Sequence, residues 1–227
     1  MADADFTAGS FVSQFAKEKT CSLLEIVSVS TGEPFSRELS TREFANHTRV
    51  TYASEFHYQI GVQFSRFPNL VDLAVHIKSF PSTFDIAFLD PWHEVEDSFQ
   101  IIEIALNRVR LGATLLLHDS HPRDSQLRNT EAPEIFPYAW CGSTWVAWSL
   151  LTKSLSHEYS WMTIDADHGI GVLKVPETKS RRRQLLRIVR SLCKQWTLGN
   201  VPRPEWSANP EHLHLVHSSD PRVADWI

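Results

Sequence analysis

Two short segments, Asp90-Pro-Trp-His93 and His118-Asp119-Ser120, set carboxylates and imidazoles directly behind apolar runs. Two carboxylates with an imidazole form a donor set for a divalent cation. A cation held there would draw two substrate oxygens together and lower the pKa of a hydroxyl. His93 stands close enough to Asp90 in the chain to remove that proton as a general base. A plainer reading has Asp90 capping the helix that follows and Asp119 stabilising a turn. Spacing alone leaves both readings open. A second group, His212, His214 and His217, lies in Glu211-His-Leu-His-Leu-Val-His217. Strand alternation would put His212 and His214 on one side, as zinc ligands or as part of a polar tail. Neither Gly-x-Ser-x-Gly nor a Gly-Lys-Ser/Thr loop occurs, so hydrolase and P-loop chemistry lack their motifs.

The elements around these residues must bring them together. Phe84-Asp-Ile-Ala-Phe-Leu89 reads as a strand running into Asp90. Val95, Phe99, Ile102, Ala105, Leu106 and Val109 recur at helical spacing between Glu94 and Arg110, and Gly112 is expected to end that helix. Ala113-Thr-Leu-Leu-Leu117 is the next strand. Strand, helix and strand make a βαβ unit whose nearly continuous apolar character suits a parallel sheet covered on both faces. In open α/β sheets, ligands sit beyond the carboxyl ends of the strands. Neighbouring strands lie about 4.8 Å apart, so Asp90 and Asp119 would share one edge. Upstream, Ser22–Val29 reads as a buried strand, Ser40-Thr-Arg-Glu43 has capping-box spacing, and Arg49–Ala53 reads as a second strand. Glu55 to Val75 reads as helix or loop. Downstream, Tyr159–Ile164 and Gly169–Val175 flank a hairpin turn with Asp165 and Asp167 as turn residues. Arg181, Arg182, Arg183, Arg187, Arg190 and Lys194 alternate with Leu185, Leu186, Val189 and Leu192, the pattern of an amphipathic helix with a solvated basic face. The tail from Pro202 reads as a lid, an oligomer arm or an extended coil.

Composition narrows the partners. The 227 residues are 42% hydrophobic and 22% charged, which suits one globular domain and excludes a disordered or disulfide-held chain. A formal charge of −5 denies the electrostatic footprint of a nucleic-acid binder. No apolar run approaches the roughly 18 residues of a membrane span, and the acidic start lacks the regions of a secretory signal. Three cysteines without a Cys-x-x-Cys pair fit a reducing compartment, so a cytoplasmic location is expected. No nucleic acid or membrane partner is expected, and a homo-oligomeric state stays open. Trp92, Trp140 and Trp145 read as ligand walls or as core filling.

The stretch FDIAFLDPWHEVEDSFQIIEIALNRVRLGATLLLHDSHP, Phe84 to Pro122, resembles the class I S-adenosylmethionine-dependent methyltransferases. It is most similar to their small-molecule O-methyltransferase branch, which includes the macrocin-type enzymes. Trp140 to Ala147 resembles the branch's W-x-G-x-x-W-K-A block, with Val146 in place of the lysine. Asp167 to Val172 resembles its D-x-G-x-G-V strand, so the likeness runs from about Ser22 to Val175. It implies an α/β, Rossmann-like class I methyltransferase fold with a mostly parallel sheet and an antiparallel C-terminal hairpin. The expected organisation is an N-terminal helix or coil over 1–21, a methyltransferase-like domain over 22–176, and a C-terminal helix with an extended tail over 177–227. The resemblance implies Asp90 and Asp119, with His118 beside them, as ligands of Mg²⁺ or another divalent cation, and His93 as the base. It implies a donor site for S-adenosylmethionine made by Glu25, Val27, Ser28, Gly32, Glu55, Asp90 and Trp92.

The chain also departs from that family. In the glycine-rich donor motif, Val27, Val29 and Thr31 occupy glycine positions, and on the shorter form of the motif Gly32 falls one residue late. Glycines there allow close backbone approach to the ligand. The acid of the second strand is displaced to Glu55, and Pro91 stands where relatives carry glycine. Two functions therefore follow. The first is metal-dependent methyl transfer from S-adenosylmethionine to a hydroxyl of a natural-product-like small molecule. The second is a methyltransferase fold without the donor, catalysing cyclisation, elimination or proton transfer, or acting as a non-catalytic binding partner.

Overall fold

The computed structural model describes residues 6–18, 21–28, 44, 46–52, 63–67, 70–79, 83–129 and 140–226. Helix α1 (Ala8–Glu18) precedes strands β1 (Ser22–Ser28), β2 (Asn46–Tyr52) and β3 (Gln63–Phe67) and helix α2 (Leu70–His76). Then come β4 (Phe84–Asp90), α3 (Val95–Leu106), β5 (Val109–Leu117), α4 (Thr144–Ser154), β6 (Trp161–Ile164) and β7 (Ile170–Lys174). The chain closes with α5 (Lys179–Thr197), β8 (Leu215–Val216) and α6 (Pro221–Ala224). The strands form one sheet in the order β3-β2-β1-β4-β5-β7-β6-β8. The pairs from β3 through β5 are parallel, and β7 runs antiparallel to both β5 and β6. The expected fold class is therefore present, with the antiparallel hairpin at the C-terminal side.

Alternation along the central strands explains the layering. Leu24, Ile26, Ala87, Leu89, Leu115 and Leu117 face the larger core with α2, α3, α4 and α5. Leu23, Ile86, Phe88 and Leu116 face the smaller core, closed by Phe11 and Val12 of α1 and Val223 of α6. Both faces of β4 and of the second half of β5 are buried, which is why these stretches read as nearly continuous apolar runs. Trp148 of α4 fills the centre of the larger core with no exposure, and its indole N–H donates to Thr163 Oγ1 at 2.8 Å. On α5, Leu185, Leu186, Val189 and Leu192 are buried, while Arg190 and Arg181 reach Glu103 and Glu158 on the outer side.

Three local expectations are corrected. Gly112 does not end a helix: α3 closes at Leu106 with Asn107 as its C-cap, and Gly112 lies inside β5 at φ 74°. The pairing of β4 with β5 shifts register between Phe84 and Ile86, so the strand absorbs the irregularity there. Val109, which continued the helical spacing, instead enters the core as the first strand residue. The tail is not an extended coil. It turns back through a 3₁₀ turn at Glu211–Leu213 and adds β8 as a parallel neighbour of β6. Between Glu55 and Val75 the described part holds β3 and the start of α2, so a strand was missed there. The capping-box residues 40–43 lie outside the described residues. No described helix is long and apolar enough to cross a membrane.

Candidate active site at the carboxyl ends of β4 and β5

The sheet order reverses direction between β1 and β4, the place where ligands bind in open α/β sheets. Val27 of β1 is in register with Asp90, the last residue of β4. The helix that follows is capped by Glu94 in extended backbone. Asp90 is thus not its cap, and the carboxylate stays at the strand end. On the neighbouring strand the His118 N–H donates to the Leu89 carbonyl at 2.9 Å, which ties the two exits together. Asp119 then takes a left-handed conformation, φ 57°, one that Asp tolerates better than most residues. The Ser120 and His121 N–H groups donate to Gly169 and His168 carbonyls at 2.8 and 2.9 Å, docking the loop on the β6–β7 turn.

His93 enters from the β4–α3 loop. Its carbonyl accepts from the Ser143 N–H at 2.7 Å and from the Ser143 hydroxyl at 3.1 Å. Gly142 fits against it at φ 49°, where a Cβ would overlap the His93 backbone. The Trp140 ring meets the His93 ring edge-on at 5.2 Å and the Trp92 ring at 5.3 Å. Trp140 is therefore a wall of this corner, anchored by its N–H to the Asn129 carbonyl at 2.8 Å.

His93 Nε2 lies 2.9 Å from Asp119 Oδ2 and 3.5 Å from Asp90 Oδ1. His118 Nδ1 lies 3.5 Å from Asp119 Oδ2 and 3.8 Å from Asp90 Oδ1. Donor atoms of Asp90, His93 and Asp119 all fall within 4.8 Å of one another. His118 Nε2 reaches Asp167 Oδ2 at 3.3 Å. Three carboxylates thus face two imidazoles, and the cluster stays net negative even with both rings protonated. Burial alone would lower the His93 pKa, but attraction and hydrogen bonding from Asp119, then Asp90, raise it to about 9. The same contest lifts His118 well above the ordinary histidine value. Burial opposes ionisation of Asp119, yet His118 and His93 hold it well below the usual carboxylate range.

The donor set suits a divalent cation by this net charge and its mixed oxygen and imidazole chemistry. Asp119 Oδ1 is buried without a directed hydrogen bond, as is His93 Nδ1. An oxygen of that kind is costly to leave without a partner, and a cation is the partner its charge favours.

Of the residues expected to hold the donor, Val27 and Ser28 stand at the end of β1, both buried. Glu25 lies within β1, two residues before Val27. It is fully buried and accepts from Arg49 Nε at 3.0 Å, from Arg49 Nη2, and from His47 Nε2 at 2.9 Å. Two basic neighbours on β2 consume it, and nothing in the strand pattern of Arg49 and His47 announced that pairing. Gly32 and Glu55 lie outside the described residues. Trp92 is half-buried against Trp140. The second histidine group does not form a ligand set. His212 bonds Ser149 Oγ at 2.8 Å, His214 stacks on Trp161 at 4.8 Å, and His217 bonds Ser219 Oγ at 2.8 Å. The 3₁₀ turn breaks the strand alternation that would have aligned them. Asp167 was missed as a site residue because a turn aspartate carries no spacing signal for its contact with His118.

No protein-family model and no curated protein matches the chain. Solved structures do. The chain is similar to the S-adenosylhomocysteine-bound methyltransferase PaMTH1 of Podospora anserina, at 15% identity over 74% of this chain and 77% of that one, with a TM-score of 0.53. It is similar to a protein described as a caffeoyl-CoA O-methyltransferase from Staphylococcus aureus (12% identity, 75% and 84% covered, TM-score 0.51). A protein described as an O-methyltransferase from Klebsiella pneumoniae aligns at 16% identity over 78% and 84% of the two chains, with a TM-score of 0.50. The chain therefore has the class I methyltransferase fold.

Proposed function

We propose that the protein transfers a methyl group from S-adenosylmethionine to a hydroxyl oxygen of a small molecule, with Asp90 and Asp119 holding a divalent cation. The observation that carries this reading is the meeting of Asp90, His93 and Asp119 at the switch point of a methyltransferase fold. When bound, the cation supplies Lewis acidity that orients two substrate oxygens and lowers a hydroxyl pKa. His93 Nε2 takes the hydroxyl proton. S-adenosylmethionine, held at the end of β1, would supply the methyl group: the oxygen would attack the methyl carbon as its C–S bond breaks, with S-adenosylhomocysteine as the leaving thioether. Trp92 and Trp140 wall this corner, and catalysis rests on positioning and deprotonation. A cavity of about 600 Å³ lined by His121, Asp124, Asp167 and His168 lies on the far side of Asp167; Asp90, His93, His118 and Asp119 do not line it.

A second reading draws on Glu25. Its ion pair with Arg49, together with Val27 at a glycine position, favours a corner that deprotonates an oxygenated substrate without a methyl donor. Calorimetric titration with S-adenosylmethionine, once with Mg²⁺ and once with EDTA, separates the two. Methyl transfer requires binding near micromolar, about −8 kcal/mol. An absence of heat at millimolar ligand from folded protein would sink methyl transfer and leave donor-free chemistry.

A further inference from the structure

Asp167 sits in the β6–β7 turn, one of three consecutive residues with positive φ: 49° at Asp167, 59° at His168 and 90° at Gly169. Left-handed backbone is unfavourable for residues other than glycine and persists where surroundings enforce it. Here the turn is enforced by the Ser120 and His121 bonds to Gly169 and His168, and by Gly169 itself, where a Cβ would strike the His121 backbone. The result is an aspartate carried from an outer hairpin to the flank of the cluster. Its Oδ2 lies 3.3 Å from His118 Nε2 and accepts the N–H of Ala8, the first residue of α1, at 2.8 Å.

We infer that Asp167 is the positioning residue that locks His118 as an imidazole ligand of the cation site, with α1 as the anchor that holds Asp167 in place. The inference rests on the proposed cation site. A ligating histidine needs its other ring N–H fixed by an outer acceptor, which sets the tautomer and the ring angle. Asp167 takes the Nε2–H, so Nδ1 is the nitrogen turned toward Asp90 and Asp119. The positive end of the α1 dipole and its terminal N–H stabilise the Asp167 carboxylate. A helix remote in sequence thereby becomes part of the metal corner. The Phe88 and His168 rings lie against the His118 ring, with centroids at 6.1 and 6.4 Å, and the ion-pair contact of His118 Nε2 is to Asp167.

The test is Mn²⁺ affinity of the full chain by calorimetry for wild type, Asp167→Ala, Asp167→Asn and Asp165→Asn. Asp165 belongs to the same turn but pairs with Arg123. The expected result is a 10- to 100-fold loss for Asp167→Ala, a smaller loss for Asp167→Asn, and a change below twofold for Asp165→Asn. Asparagine keeps a cap for the Ala8 N–H, so it separates loss of charge at His118 from loss of the α1 anchor. In the Mg²⁺-loaded wild type, ¹⁵N NMR should show the His118 ring proton on Nε2. Mn²⁺ binding unchanged in a folded Asp167→Ala, or a ring proton on Nδ1, would overturn the inference while leaving the cation site standing. A wild type that binds no Mn²⁺ would overturn both.

Discussion

Replacing His93 with alanine is expected to slow methyl transfer by about 10²- to 10⁴-fold while cation affinity stays within a few-fold of wild type. His93 Nε2 lies within reach of both Asp119 and Asp90, and it is the ring proposed to receive the hydroxyl proton. In the metal-free protein Asp119 and Asp90 hold that ring protonated up to about pH 9, against the opposing effect of burial. A protonated ring cannot act as a base. A cation between the carboxylates shares their charge and releases His93 to titrate lower, so the rate of loaded enzyme should rise with pH along a limb below 9. That limb should be missing in His93→Ala. Cation affinity lost in parallel with turnover would make His93 a ligand and contradict its role as base.

Asp119→Asn has the second large effect, on both binding and stability. Cation affinity should fall steeply, because one of the two carboxylates proposed to hold the cation is removed. The metal-free variant should also be less stable near neutral pH. His93 shifts from 6.5 to about 9 in the folded state, a difference worth about 3 kcal/mol. A histidine with a raised folded pKa stabilises fully below its unfolded value, and that stabilisation fades as pH rises through the folded value. The deficit of Asp119→Asn should therefore be largest near pH 6 and shrink above pH 9. Urea unfolding in EDTA at the two pH values measures this. A deficit that grows with pH would mean the His93–Asp119 pair does not dominate the stability of the corner.

Both effects trace to residues that were legible before the structure. Asp90, His93, His118 and Asp119 follow apolar strands, and parallel strands deliver their exits to one edge. Strands β1, β4 and β5 were readable because burial on both faces writes a nearly continuous apolar run. Strand β3 was not readable, since Gln63-Phe-Ser-Arg-Phe67 carries no such run. Gly112 misled because glycine ends helices and also bends strands, and only the register shift between Phe84 and Ile86 distinguishes the two. Asp167 and the Glu25–Arg49–His47 group depend on contacts between distant elements, which no local pattern encodes. The tail histidines left a zinc reading beside that of a polar tail because imidazoles that stack on Trp161 or bond Ser149 have the same composition as imidazoles that bind zinc.

Anomalous diffraction at the manganese edge, from crystals grown with Mn²⁺ and S-adenosylhomocysteine, tests the proposed function most directly. The account predicts one manganese peak coordinated by Asp90 and Asp119, with the donor product lying beyond Ser28 at the β1–β4 junction. An empty corner at saturating Mn²⁺, or a manganese site there with no donor product beside it, would contradict it.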